Sequence, residues 1–316
     1  MVSRIAFGTW QLGGEWGQFD EDRAIEAIRH ARALGVNFFD TAQAYGFGAS
    51  EQLLAKALED DLRDARDEVV IATKGGLRPV DGGMERDSSP QFLREGVEAS
   101  LEALGIDSID LYQVHWPDPD TPLAETGAAL TELRDEGKVR HVGVSNFSAA
   151  QMAELSETVP VETLQPPYHL FNREIEDSVL PWCLDTDIGV LVYGPLAHGL
   201  LTGTIDADSE FADDDWRSGS PLFTHANLQQ NVEVVHQLAE VAADLGCTLS
   251  QLAIAWTLVH PAVHVSIVGS RSPEHIEEAV DALTVDLCEE DLQRIITIMQ
   301  GALGAEGPSP EMGRTD

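Results

Sequence analysis

Groups able to hold charge, pass a proton or grip a ligand recur at the ends of short apolar runs in this chain. In order, the runs end at Gly8-Thr9-Trp10, at Asp40 with Tyr45 just beyond, at Lys74, at His115-Trp116, at Ser145-Asn146, at Gln165, at Tyr193 and at Gly269-Ser270-Arg271. Buried charge is costly unless paired, so ionisable side chains set repeatedly against apolar segments argue for one shared site rather than filler. Lys74 is conspicuous because the chain has only three lysines, the others being Lys56 and Lys138. Other chemistries fail on spacing. His260 and His264 are four apart, but Pro261 breaks the helix that would make them joint metal ligands. Cys183, Cys247 and Cys288 lie far apart with no C-x-x-C pair, which argues against a zinc site or disulfide framework and fits a reducing cytoplasm. No metal is expected. The residues four after Tyr45, Tyr112, Tyr168 and Tyr193 are Ala49, Trp116, Asn172 and Ala197, so a Tyr-x-x-x-Lys dehydrogenase arrangement is absent.

The elements that must position these groups alternate regularly. Strand-like runs are predicted at 4–9, 36–40, 69–74, 109–114, 139–144, 162–165, 189–193 and 265–268. Several are short, apolar and rich in β-branched residues, as parallel strands buried on both faces are. Helical spacing follows each. The first helix opens on Asp20-Glu21-Asp22 and closes at Gly35, as an acidic N-terminus and a glycine C-cap require. Ser50 is read as the cap of the second helix. Helices follow over 90–104, 121–136, 148–158, 174–185, 227–245, 250–259 and 273–283. Strict βα alternation implies a parallel sheet, and eight units imply a closed (β/α)8 barrel of the TIM type. An open doubly wound sheet would want G-x-G-x-x-G after the first strand. The nearest candidate, Gly46-Phe47-Gly48, follows the second strand and has Glu51 at its third position, so that fold is rejected. Two additions exceed the basic plan: a long polar loop at 202–226 after strand seven, and an extra C-terminal helix at 288–301. One barrel domain over 1–301 and a flexible tail over 302–316 are expected.

Of the 316 residues, 43% are hydrophobic and 23% charged, which is ordinary for a globular protein. No run is long enough to cross a membrane, and residues 1–4 lack the apolar core of a signal peptide. The charge is unusual: 19 Lys and Arg against 55 Asp and Glu, or −36. A field of that sign repels phosphate backbones and argues against nucleic acid as a partner. The acids are spread along the chain, the densest groups being 59–61 and 213–215. Dispersed acid with scarce lysine points to a halophilic protein, because salt screens the self-repulsion.

In barrels the C-terminal strand ends carry the chemistry, and here those ends resemble a known family. Asp40-Thr41-Ala42-Gln43-Ala44-Tyr45-Gly46, Ala72-Thr73-Lys74, Val114-His115-Trp116 and Gly143-Val144-Ser145-Asn146-Phe147 are similar to segments of the aldo-keto reductases. So are the stretch 193–203, which begins Tyr193-Gly194-Pro195-Leu196, and Gly269-Ser270-Arg271. The likeness runs from about residue 4 to about 301, and the ordered set carries it rather than any one motif. Asp215-Trp216-Arg217 further resembles the bacterial and archaeal branch. The resemblance implies reduction of an aldehyde or ketone through four catalytic residues, Asp40, Tyr45, Lys74 and His115. Tyr45 would give the carbonyl oxygen its proton. A free phenol, with a pKa of about 10, is a poor acid at neutral pH unless an ammonium such as Lys74 stabilises its phenolate. Asp40 would orient Lys74, and His115 would align the carbonyl.

The resemblance also implies a nicotinamide dinucleotide. Ser145, Asn146 and Gln165 match the carboxamide-holding residues, and Tyr193 the aromatic on which the nicotinamide stacks. The turn Gly194, Pro195, Leu196 to Gly199 and Leu200 matches the pyrophosphate loop, where glycine lets backbone amides approach. Gly8, Thr9 and Trp10 at the first strand end, with Gly269, Ser270, Arg271 and His275 at the last, complete the expected cofactor contacts. Arg271 beside a helix N-terminus suits the 2′-phosphate of NADP(H), with NAD(H) the second candidate; the alternative for Arg271 is a surface pair with Glu274. Family members often carry Asn where Ala279 stands, which weakens the expected grip on adenine. Small-molecule carbonyl substrates would meet Trp10, Tyr45, His115, Trp116 and Trp216; the alternative for Trp216 is packing of its loop on the barrel rim. A second functional reading is a cofactor-sensing regulatory protein, as the potassium-channel β subunits are; the intact set of four favours an enzyme.

Overall fold

The computed structural model describes residues 1–13, 19–81, 83–212 and 215–303. Its centre is a closed barrel of eight parallel strands in sequential order: β1 (Ile5–Gly8), β2 (Phe38–Asp40), β3 (Val70–Gly75), β4 (Ile109–Val114), β5 (Val139–Ser145), β6 (Thr163–Gln165), β7 (Gly189–Tyr193) and β8 (Val263–Gly269). Closure is made by β1 on β8, with Ile5 opposite Ser266 and Gly8 opposite Gly269.

Strand periodicity explains both the core and the site. Successive side chains point to opposite faces. One set, including Ile5, Phe7, Phe39, Ile71, Val142, Val144, Val190 and Val192, packs outward into the main core shared with the helices. The alternate set begins with Ala6, Phe38, Ala72, Leu111, Leu191, Val265 and Ile267, which form a separate apolar cluster. Two residues further along the same faces the character changes to Gly8, Asp40, Lys74, Gln113, Tyr193 and Gly269. The barrel is thus plugged by a dry layer with a polar layer on top, at the C-terminal ends of the strands.

The helices expected over 90–104, 121–136, 148–158, 227–245, 250–259 and 273–283 are found as Pro90–Leu104, Leu123–Asp135, Ala149–Leu155, His225–Leu245, Leu249–Thr257 and Pro273–Asp281, and the extra helix is Glu289–Met299. Four details differ. Ser50 does not cap its helix. Ala49–Ala57 starts from Gly48, whose φ of 94° only glycine adopts readily, and Ser50 is buried, donating to Thr9 Oγ1 at 2.6 Å. The stretch 174–185 divides into a turn, Glu174–Glu176, and a helix, Val179–Asp185. A hairpin that the sequence reading missed, Leu77–Val80 with Gly83–Arg86, follows β3. The loop after β7 holds two short 3-10 turns, Trp216–Gly219 and Pro221–Phe223. Among the described residues no single helix is long and apolar enough to cross a membrane. Residues 304–316 of the expected tail, and Asp213 and Asp214 of the acidic cluster, lie outside the described residues.

Candidate active site

Lys74, the polar inward residue of β3, is fully buried, and its ammonium has three acceptors for its three protons. It donates to Asp40 Oδ2 at 2.7 Å, to the Thr41 carbonyl at 2.8 Å and to the Tyr45 hydroxyl at 3.3 Å. The second oxygen of Asp40 accepts from Gln165 Nε2 at 2.7 Å, which fixes the carboxylate from across the barrel. Tyr45 lies on the loop leaving β2. Gly13 and Gly46 let two backbones touch beneath that loop: a Cβ on Gly46 would lie 2.5 Å from the Gly13 carbonyl oxygen. Thr9, Thr41 and Ser50 tie the loops after β1 and β2 together through a chain of hydroxyls, and Thr9 Oγ1 ends it on the Asp40 carbonyl. The His115 ring stands edge-on to Tyr45 with centroids 5.8 Å apart, and Trp10 flanks Tyr45 at 6.4 Å. Asp40, Lys74, Tyr45 and His115 are therefore gathered at one point from three strand ends and a loop.

These groups open onto a cavity of about 850 Å³ that runs along the barrel mouth. Next to Tyr45 its wall is an interlocked amide and hydroxyl set. Asn146, held at a left-handed φ of 63°, donates to the His115 carbonyl at 3.1 Å and accepts from the Tyr193 hydroxyl at 3.0 Å. Ser145 donates to the Gln165 carbonyl at 2.8 Å. With its amide nitrogen committed to Asp40, Gln165 keeps only its side-chain oxygen to receive a carboxamide N–H.

Further along, Gly194, Pro195, Leu196 and Gly199 line the cavity, and the chain turns left-handed at Ala197, His198 and Gly199. The turn closes on itself: the Ala197 and Gly199 amides donate to the Gly194 and Leu196 carbonyls, each at 3.0 Å, and the His198 ring stands in the cavity wall. The far end is Gly269, Ser270, Arg271 and His275 at the start of the helix Pro273–Asp281, capped by Ser272. Arg271 does not pair with Glu274, which instead meets Arg23 from a distant helix at 2.7 Å. Among the described residues Arg271 has no ion pair and stands in the cavity wall.

Three expected contacts stand back from the wall. Thr9 and Leu200 are buried behind it, Thr9 engaged by Ser50 and Leu200 in the main core. Trp116 packs with Ala44, Leu77 and Met84 beneath the Arg86 guanidinium, 5.2 Å from its ring. Gly8, Trp10 and Trp216 do line the cavity, and Trp216 also packs edge-on against His198 at 4.6 Å. Several wall residues had no assigned role in the sequence reading. Arg217 lies in the wall with its guanidinium forked onto Asp215, at 3.0 Å from Nε and 2.6 Å from a terminal nitrogen. Ser250, Ile254 and Glu278 line the Arg271 end. Glu278 stands three residues after His275 on one helix face, a spacing that would have found it. Among the described residues no His, Cys, Asp and Glu cluster could hold a metal ion.

Known proteins resemble this chain in sequence and in fold. The sequence profile of the Aldo/keto reductase family matches residues 4–299. The chain is 41% identical over 304 residues to the aldo-keto reductase YhdN of Bacillus subtilis, covering 96% of this chain and 91% of that one. It is 36% identical to the NADH-specific methylglyoxal reductase of Escherichia coli, covering 92% of each. Its fold is similar to that of glycerol dehydrogenase AKR11B4 from Gluconobacter oxydans, with a TM-score of 0.88 at 36% identity, over 98% of this chain and 94% of that one. The chain belongs to the aldo/keto reductase family. Membership carries oxidoreductase chemistry, with a nicotinamide cofactor and small carbonyl compounds.

The cavity suits such a cofactor. Its wall offers amide and hydroxyl groups beside Tyr45, a left-handed backbone turn in the middle and, at the far end, Arg271, which has no ion pair among the described residues.

Proposed function

We propose that this chain is an NADP(H)-dependent carbonyl reductase in which Tyr45 is the proton donor. The observation carrying this reading is the buried Lys74 ammonium, held by Asp40 at 2.7 Å and 3.3 Å from the Tyr45 oxygen. When bound, the cofactor supplies a hydride to the carbonyl carbon. The residues do the rest. Ser145, Asn146, Gln165 and Tyr193 orient the nicotinamide end. His115 and Tyr45 aim hydrogen-bonding groups at one carbonyl oxygen, and the Tyr45 proton passes to it. Lys74 stabilises the charge left on the phenol oxygen, and Asp40 keeps Lys74 in place without routing a proton elsewhere. The tetrad needs no metal for this. Arg271 would read the 2′-phosphate, since a guanidinium without a carboxylate partner in so acidic a chain supports an anionic ligand at that point.

The test is consumption of NADPH and of NADH against a panel of small aldehydes and ketones, at low and high salt. Turnover favouring NADPH is expected. A dinucleotide that binds and is never turned over across the panel would support the sensing role instead.

A further inference from the structure

His198 is a titratable side chain in the cavity wall, at the left-handed turn that follows Tyr193. It lies in the left-handed stretch formed with Ala197 and Gly199, at a φ of 57° that histidine seldom adopts. Backbone strain of this kind persists only where the surroundings over-determine it. Its imidazole packs edge-on to Trp216 at 4.6 Å and to His169 at 6.0 Å. The titratable and charged groups facing it are His169, from the segment after β6, and Arg217 with its partner Asp215, from the loop after β7. His169 is itself neutral: burial and the neighbouring His198 hold it down to about 3, and its Nδ1 accepts the Phe171 amide proton at 3.2 Å. Burial and then the positive Arg217 hold His198 down to about 4, so at neutral pH a neutral imidazole is kept beside a guanidinium in the cavity wall.

We propose that His198 takes up a proton from solvent when a dinucleotide binds, so that the pyrophosphate is met by an imidazolium at the left-handed turn. The inference rests on the cofactor reading above. Its physical basis is a change of sign in the local field. In the free protein the two causes that act on His198, burial first and then the charge of Arg217 even with Asp215 beside it, both disfavour the cation. A pyrophosphate brings negative charge into the same wall, and opposite charge at contact distance favours the cation. The proton is bound on association and returned to solvent on release, so cofactor exchange is coupled to pH rather than to a permanent charge.

The expected magnitude follows from linkage. If occupancy returns the imidazole to its ordinary value of about 6.5, binding tightens about tenfold between pH 7.5 and pH 5.5. Uptake then amounts to about half a proton per dinucleotide at pH 6.5 and about 0.9 at pH 5.5.

The experiment is calorimetric titration of the full chain with ADP-ribose, repeated in buffers of different ionisation enthalpy. ADP-ribose carries the pyrophosphate but neither the nicotinamide, which would involve His115, nor a 2′-phosphate that titrates itself. The comparison variant is His198→Asn, because asparagine tolerates the left-handed backbone. Proton uptake that grows as pH falls in the parent chain and is lost in His198→Asn, with ADP-ribose still bound, is the expected result. Binding with no uptake, or with equal uptake in His198→Asn, overturns the inference and leaves the cofactor reading intact. If ADP-ribose, NAD+ and NADPH all fail to bind the parent chain, the cofactor reading falls and the inference with it.

Discussion

The two ends of the cavity are built on opposite plans. At the Tyr45 end the charges are settled: Lys74 is fully buried, with a carboxylate and a carbonyl within 2.8 Å, and Asp40 is held from its other side by Gln165. Its side chains come from strand ends or a loop pinned by close glycine contacts. Away from Tyr45 the groups come from loops and a helix start. The backbone turns left-handed at Ala197, His198 and Gly199, and further on Arg271 has no ion pair among the described residues. Chemistry on a bound carbonyl requires a donor held within fractions of an ångström, so its charges are neutralised inside the protein. Recognition of a ligand that must leave after each cycle suits groups that change partners. Arg271 is offered to solvent, and Arg217 rests on Asp215.

The strongest way to break this contrast is at Tyr45. Tyr45→Phe keeps the ring and its packing but removes the donor, so carbonyl reduction should fall by about 10²–10⁴-fold. Cofactor binding, followed by NADPH fluorescence, should be almost unchanged, because the expected contacts are Ser145, Asn146, Gln165 and Tyr193. Lys74→Met should slow turnover as well, and it strands Asp40 as a buried charge, a loss that costs about 3–5 kcal/mol. Its melting temperature should therefore drop where that of Tyr45→Phe does not. The double variant should reduce turnover little beyond Tyr45→Phe alone, because Lys74 acts through the phenol. Near-normal turnover in Tyr45→Phe would mean that the buried ion pair is structural only.

A smaller effect sharpens the other end. Arg271→Ala removes a charge-assisted contact of about 1.5–3 kcal/mol, or about ten- to 150-fold in affinity. The loss should fall on NADPH and spare NADH, since only the former carries the 2′-phosphate. An unchanged ratio of the two dissociation constants would mean that another residue reads the 2′-phosphate, or that none does.

The strand ends were legible in the sequence because the inner face of each strand changes from apolar to polar within two residues, as Ala72 to Lys74 and Phe38 to Asp40 do. Glycine and acidic helix boundaries were legible for the same local reason. Long-range competition was not. Glu274 lies three residues from Arg271, yet Arg23 from another helix reaches it first. Ser50 reads as a cap because its hydroxyl is well placed locally, but Thr9, 41 residues away, claims it. In the sequence Glu51 stands out only as the residue that spoils a glycine fingerprint. It is buried, accepts from Thr73 Oγ1 at 2.6 Å, and is raised above its ordinary value by desolvation. The hairpin Leu77–Val80 and Gly83–Arg86 was missed because most of its residues face solvent and lack an apolar alternation. Trp10 and Trp116 both follow strand ends; which one faces the cavity depends on side-chain direction, and the hairpin takes Trp116.

The smallest expected effect concerns salt, and it separates the site from the surface. The chain carries 55 acids against 19 bases. Exposed pairs such as Lys56 with Glu21 and Arg63 with Asp60 offset only part of that excess. Raising KCl weakens those pairs, each worth about 0–1 kcal/mol, but it also screens repulsion among the many unpaired acids. The Debye length falls from about 10 Å at 0.1 M to about 3 Å at 1 M. Repulsion outnumbers attraction, so stability should rise, by about 2 kcal/mol, or roughly 3 °C in melting temperature for a chain of this length. Most of the gain should come below 1 M, where the screening length changes most; a linear climb to several molar would instead indicate exclusion of salt from the surface. Lys74 and Asp40 are shielded by burial rather than by ions, so the fold-loss in Tyr45→Phe should be the same at both salts. A melting temperature equal in dilute buffer and molar KCl would remove the case for adaptation to salt. A Tyr45→Phe loss that shrinks with salt would show that the site is electrostatically open to the surface field.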